Sequence, residues 1–233
     1  MRLVLILSLL TIFYFNAFAQ GKFGVSVLPQ IGITYSDVQD NDDRITYGFR
    51  AGKLLGSSFI LDGASGKLGA LIGIHYVEKG GHLRLETRSP DAVYVDEETM
   101  RLSYVDASFQ ARGVLLRDKP IQLFIRGGLI YSFGVKANGK GSLTKTDLHG
   151  ALVSRDQWTY DIHFVRNPMH SFEQRKSVVS GCIGLGIIIR RVVLDIGYSG
   201  GPMRIKIKSE IPDPVANNLL QVSVGYTFRK LTL

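Results

Sequence analysis

Five histidines (His75, His82, His149, His163 and His170) and the lone Cys182 are the residues of this 233-residue chain best suited to nucleophilic, acid–base or metal chemistry. A histidine that drives hydrolysis needs a serine and a carboxylate within hydrogen-bond reach. No G-x-S-x-G elbow is present, and no histidine shares a strand-like stretch with a serine two residues away at a segment end. The histidines also lack H-x-x-x-H spacing, so no metal site is expected. "KANGKGSLTK", Lys136 to Lys145, departs from G-x-x-x-x-G-K-[ST] and is followed by no helical pattern. It is expected to be a mobile basic loop. No catalytic residue and no cofactor is expected, and one cysteine excludes an internal disulfide.

The elements that would hold such residues follow from hydrophobic period. In "GKFGVSVLPQIGITYS", Phe23, Val25, Val27, Ile31, Ile33 and Tyr35 share one parity, while Lys22, Gly24, Ser26, Gln30, Gly32 and Thr34 share the other. Period two is a strand with one apolar face. Pro29 interrupts the apolar parity and favours a bulge or edge-like position. The same alternation recurs around residues 45–52, 68–76, 104–112, 121–136, 179–190, 191–199 and 220–228, for eight expected strands in all.

The stretch "SVVSGCIGLGIIIRRVVLDIGYSGG" is the test of this reading. A helix there would carry Arg190 and Arg191 to mid-bilayer, which costs several kcal/mol. Two strands with both arginines at a hairpin tip avoid that cost. Connections after strands one, three, five and seven are long and polar: Ser36 to Arg44, Gly80 to Thr99, Ala137 to Lys176, and Gly200 to Asn217. Those at Arg117 to Pro120 and at Arg190-Arg191 are short, and Gly56 to Gly66 is intermediate.

Two all-β architectures remain. A soluble barrel or sandwich turns the apolar parity inward, whereas a membrane barrel turns it to lipid. The second parity is rich in Gly, Ser, Thr and Gln and poor in the dense Lys and Glu of a wetted face. Aromatic residues, including Tyr35, Tyr47, Phe49, Tyr76, Tyr131, Phe133, Tyr198, Tyr226 and Phe228, lie on the apolar parity near strand ends, where girdles form. The expected fold is an eight-stranded antiparallel transmembrane β-barrel, monomeric, with a packed interior.

That fold sends Arg50, Asp106, Arg112, Arg126 and Asp195 to the interior parity. Buried charges must pair, so they are expected to form a structural charge cluster; a proton or solute path is the other reading. Cys182 is expected inside as a small filler. Lys136, Lys140, Lys145, Arg155, Arg166, Arg175 and Lys176 fall in the long fifth-to-sixth connection and could meet lipopolysaccharide phosphates or a protein partner. The formal charge is +8. "MRLVLILSLLTIFYFNAFAQ" has a basic start, an apolar core and an Ala17-Phe18-Ala19 cleavage pattern, so residues 1–19 are expected to be a removed secretory signal and residues 20–233 a single domain. Export turns the positive charge away from nucleic acid and toward anionic lipid or glycan.

"LGALIGIHYVEKGG", "LSYVDASFQARG" with "IQLFIRGGLIYSFGVKA", and "GCIGLGIIIRRVVLDIGYSGG" with "LLQVSVGYTF" resemble the PorT-like outer-membrane β-barrel family of Bacteroidota-type bacteria. The resemblance runs from about Lys22 to Phe228. It implies a Gram-negative outer-membrane barrel with periplasmic termini, outward long loops and a link to secretion machinery. Asp106 stands where that pattern usually has Glu, the proline of its "Y-L-E-I-P" stretch is absent, and "RKLTL" extends past Phe228. The expected role is structural or interactive. The alternatives are a small enzyme acting on lipid or lipopolysaccharide, and a soluble periplasmic ligand-binding barrel.

Overall fold

A computed structural model describes residues 24–39, 45–63, 65–116, 120–165, 173–200, 216–228 and 231–232. The expected signal, residues 1–19, lies outside the described residues. The strands are β1 (Gly24–Gln39), β2 (Ile45–Gly48), β3 (Arg50–Asp62), β4 (Leu68–Arg88), β5 (Val93–Val114), β6 (Ile121–Thr146), β7 (Leu152–Asp161), β8 (His163–Val165), β9 (Glu173–Arg175), β10 (Ser177–Ile189), β11 (Val192–Gly200), β12 (Ala216–Tyr226) and β13 (Leu231–Thr232). No described helix is long and apolar enough to cross a membrane.

Eight strands close a ring. β1 pairs β3, and the ladder continues through β4, β5, β6, β10, β11 and β12, which pairs back onto β1. Every one of these pairings is antiparallel. Alternation then sorts the side chains. Ile31, Leu55, Ile74, Phe109, Leu129, Leu185, Leu194 and Val224, one from each strand of the ring, are all exposed, with Ile74 at 65% and Phe109 at 60%. An apolar band continuous around a closed wall far exceeds the patch a water-soluble monomer tolerates, and it is a surface built for lipid. Tyr35, Tyr76, Tyr131, Phe133 and Tyr198 stand on its upper rim, while Tyr226 and Phe228 stand at the other end. The chain is an eight-stranded antiparallel transmembrane β-barrel.

The expected alternation of connection lengths is more regular than the sequence suggested. Gly56 to Asp62 is strand, because Ser58, Ile60 and Asp62 continue the inward parity, and the turn is confined to Gly63–Lys67. The Arg190-Arg191 hairpin forms as expected, with Arg190 at φ 59°, a conformation that primed turns require. Pro29 remains paired with Ser57 of β3, and the β12 ladder begins only at Gln30. The proline thus stands at a ladder end, where its missing N–H is tolerated. Beyond Phe228, Leu231 and Thr232 pair with Val25 and Gly24, extending β1's partner edge.

The interior is not polar throughout. At the short-turn end Leu28, Ile60, Leu71, Val114, Phe124, Ile188 and Val193 form an apolar plug. None of these inward side chains stood out in the period reading, because each interrupts an otherwise small or polar parity.

At the loop end the strands overshoot. β11 has 9 residues and β12 has 11, close to the roughly 9–11 needed to cross a bilayer. β4, β5 and β6 have 21, 22 and 26. β10 follows β6 only as far as Phe133, and from Asn138 onward β6 pairs β7 instead. The wall therefore ends near Phe133, and a sheet ordered β2-β4-β5-β6-β7 rises beyond it. Two devices mark the transition: Gly80 with φ 150°, and a bulge at Ser103/Tyr104 that leaves Val135 unpaired. The expected connections Gly80 to Thr99 and Ala137 to Lys176 are thus largely strand. Lys136 to Lys145 is not a mobile loop, since it pairs with β5 and, over most of its length, with β7.

Leu185, 57% exposed, tests the lipid assignment. Leu185→Arg is expected to lower stability by about 2–4 kcal/mol in urea unfolding from vesicles. A loss under 0.5 kcal/mol would argue against lipid on this face.

Candidate functional site

The inward charges meet partners. Arg126 grips Asp195 in a bidentate pair, with Nε to the two carboxylate oxygens at 3.0 Å and Nη2 to Oδ2 at 2.7 Å. Its Nη1 donates to Gln110 Oε1. Both charged side chains are at most 5% exposed. The alternate glycines of β10 and β11 make the room: a Cβ on Gly184 would lie 2.8 Å from Arg126 Nε, one on Gly197 would overlap Nη2, and one on Gly186 would overlap the Phe124 ring.

Arg112 Nη2 reaches Asp62 at 2.8 Å, its guanidinium lying over Phe124. Asp106 pairs with Lys79 Nζ at 3.2 Å, and that ammonium also donates to Ser132. Arg50 stands apart at the rim, donating to the Met100 carbonyl. The period reading missed two partners. Asp62 falls in the expected Gly56 to Gly66 connection but is strand, and Lys79 continues β4 past the expected strand end. Both continue the inward parity of their strands by a few residues, which is the signal for them in the sequence.

Between these pairs lies a cavity of about 30 Å³, the size of one water, bordered by Gln30, Ser58, His75, Asp106 and Ser223. Ser58 Oγ is 3.3 Å from His75 Nε2, and Gln30 Oε1 is 3.2 Å from the same nitrogen. This Ser–His pair lies inside the barrel, away from any rim. Asp106, opposite His75 in register, is engaged by Lys79. Among the described residues no group of three His, Cys, Asp or Glu could hold a metal. His149 and His163 are exposed, and His170 lies outside the described residues. Cys182 is half-buried and unbonded to another sulfur.

The cations expected in one loop are distributed over structure. Lys136, Lys140 and Lys145 lie on β6 and Arg155 lies on β7. Lys176 extends over Phe133 at 5.2 Å, on the rim. Arg175 belongs to the short β8–β9 pair, and Arg166 lies outside the described residues. Among the described residues, Lys136, Lys140, Lys145, Arg155 and Lys176 are spread over β6, β7 and the rim.

What it does assemble is the outward sheet. On its inner face Tyr160 lies flat over Gly139 and Trp158 over Gly141, so close that a Cβ on either glycine would enter the ring. Aromatic cover of this kind compensates for glycine within a strand. Tyr160 packs against Met100, Leu102, Tyr104, Ala137 and Ile162, and its hydroxyl donates to Glu98 Oε2 at 3.1 Å. Burial raises the Glu98 carboxyl pKa; the Tyr160 hydrogen bond opposes the shift, and the Asp96 charge adds to it. Burial likewise raises Asp96, whose Oδ1 has no hydrogen-bond partner. On the outer face, Arg101 holds Glu78 at 2.8 Å beside the Tyr76 hydroxyl, and Arg84 faces Glu97 at 3.7 Å.

Two measurements check this geometry. Asp195→Ala leaves Arg126 buried without its partner and is expected to cost about 3–5 kcal/mol in urea unfolding, while Arg126→Met with Asp195→Leu recovers much of that loss. A double variant as unstable as the sum of the singles would contradict it. In the outward sheet, Asp96 and Glu98 bind protons more tightly folded than unfolded. Stability there therefore rises as pH falls through the raised values, with the gain complete below the ordinary carboxyl range. The free energy of protection of β5–β7, after correction for the intrinsic pH dependence of amide exchange, should rise as pH is lowered from 7.5 toward the carboxyl range, and less so in Glu98→Gln; protection free energies independent of pH would refute it.

No family model matches the chain, and no curated protein matches it. Among solved structures, Ail, the attachment invasion locus protein of Yersinia pestis, is 13% identical with a TM-score of 0.36, covering 88% of this chain and 99% of Ail. Neisserial surface protein A is 13% identical with a TM-score of 0.39, covering 87% and 99%. The N-terminal β-barrel domain of Pseudomonas aeruginosa OprF is 11% identical with a TM-score of 0.30, covering 90% and 100%. At such scores they are likenesses in outline, and the barrel assignment stands on the strand pairing above.

Proposed function

We propose that this chain is a monomeric Gram-negative outer-membrane barrel, exported through a cleaved signal of residues 1–19, that anchors an outward interaction surface. One observation carries the reading: among the described residues the space between the lumenal ion pairs is a water-sized cavity, while β4 to β7 continue past the lipid band into an ordered sheet. The ion pairs of Arg126, Arg112 and Asp106 serve as structural fill. The sheet, with Lys136, Lys140, Lys145 and Arg155, engages lipopolysaccharide or a protein partner. The PorT-like resemblance extends this to a component tied to secretion machinery.

The test is topological. In a Cys182→Ser background, Gln157→Cys on the sheet should react with a membrane-impermeant maleimide on intact cells, and Lys67→Cys at the short-turn end should not. The mature protein should need detergent for extraction, shift in gel mobility on boiling, and give no steady conductance in planar bilayers. Release in plain buffer, reversed labelling, or a stable open conductance would each overturn the proposal.

A further inference from the structure

The outer face of the extension continues the lipid-facing wall upward. On β6 the sequence of exposed side chains runs from Tyr131 and Phe133 through Val135 and Lys136 to Lys140. Above the aromatic rim, the character of this face changes abruptly. His82 of β4, Glu97 and Thr99 of β5, Lys140 and Ser142 of β6 and Gln157 of β7 line a saddle of about 420 Å³. Four strands supply it, in register: His82 opposite Thr99, Thr99 opposite Lys140, Glu97 opposite Ser142, Ser142 opposite Gln157. Gly141, Trp158 and Thr159 complete the lining.

The polar groups in the saddle are only partly engaged with one another. His82 Nδ1 and Thr99 Oγ1 are 3.0 Å apart, which holds the ring against the saddle it lines. Glu97 is paired with Arg84 at 3.7 Å. Lys140, Ser142 and Gln157 have no side-chain partner among the described residues. One unpaired ammonium beside hydroxyl, amide and imidazole groups suits an anionic sugar better than a bare phosphate or an apolar peptide.

Height decides the source. Lys140 lies seven residues past Phe133, roughly 23 Å of strand and about 16 Å of vertical rise at a 45° tilt. Phospholipid headgroups extend only about 5–8 Å beyond the hydrocarbon. They fall short of the saddle, whereas an oligosaccharide carried by a lipid of the same leaflet reaches it.

We propose that this saddle binds the anionic oligosaccharide of a glycolipid seated against the barrel wall, with Lys140 on a phosphate or carboxylate and His82, Thr99, Ser142 and Gln157 on sugar hydroxyls. The inference rests on the reading that the barrel spans the outer membrane with this sheet outward.

The probes are rough lipopolysaccharide with its inner core, core-free lipid A, and inorganic phosphate, each titrated against the full mature chain in nanodiscs by native mass spectrometry. Core-bearing lipopolysaccharide should bind at least tenfold more tightly than lipid A. Lys140→Glu should weaken core-bearing lipopolysaccharide tenfold or more and Gln157→Ala several-fold, with both variants retaining the boiling-dependent mobility shift and unchanged lipid A binding. Equal affinity for lipid A, tight binding of phosphate alone, or wild-type affinity in both variants would overturn the proposal. If detergent extraction, mobility shift and maleimide labelling hold while the core preference is absent, only this inference fails. If they fail, the membrane reading fails with it.

Discussion

Hydrogen-bond closure is the constraint on which everything else in this structure depends. A strand in hydrocarbon cannot leave an edge unsatisfied, because no water is present to meet its N–H and C=O groups. The chain meets that demand where β6 pairs β10 and β12 pairs β1. Once the ring is closed, alternation has only one outcome. Each strand must give one parity to lipid and the other to a narrow lumen. Leu185 and Arg126, on neighbouring strands, face opposite solvents for that reason alone.

The narrow lumen then dictates its own contents. Charges there cannot be left alone, and among the described residues the lumenal carboxylates lie within reach of cations: Asp195 with Arg126, Asp106 with Lys79, Asp62 with Arg112. A guanidinium is bulky, and the wall opposite must yield space. Gly184 and Gly197 do so for Arg126, and Gly186 does so for Phe124. The glycine alternation of β10 is thus a packing imprint of β6. The apolar plug of Leu28, Ile60, Leu71 and Phe124 seals the short-turn end without any further polar group to satisfy.

Above the membrane the constraint relaxes. Water can satisfy an edge, so β6 is free to exchange β10 for β7 and the ring can open into a sheet. The faces change character accordingly. The inner face is stabilised by Tyr160 and Trp158 lying on glycines and by a small cluster around Leu102. On the outer face, Lys140, Ser142 and Gln157 bring polar groups together in one saddle. One continuous β6 strand therefore passes from lipid to a polar layer without changing its direction or its register with β5, apart from a single bulge.

The sequence by itself determined the strands, their alternation and the lipid-facing side, because these are local consequences of side-chain period and of the cost of burying Arg190 and Arg191 in a bilayer. It also determined that Arg126, Asp195, Arg112 and Asp106 share a face. Only the tertiary structure decided which carboxylate meets which cation. Arg126 and Asp195 are 69 residues apart, and their meeting depends on β10 standing between β6 and β11. The same holds for the outward sheet. Lys136 to Lys145 has the composition of a loop, with alternate glycines and lysines, and nothing local marks it as a strand. It becomes one because β5 supplies a partner on one side and β7 supplies another, with Tyr160 and Trp158 covering the glycines. Period is encoded within a few residues, whereas partners come from distant strands whose register is settled only when the ring closes.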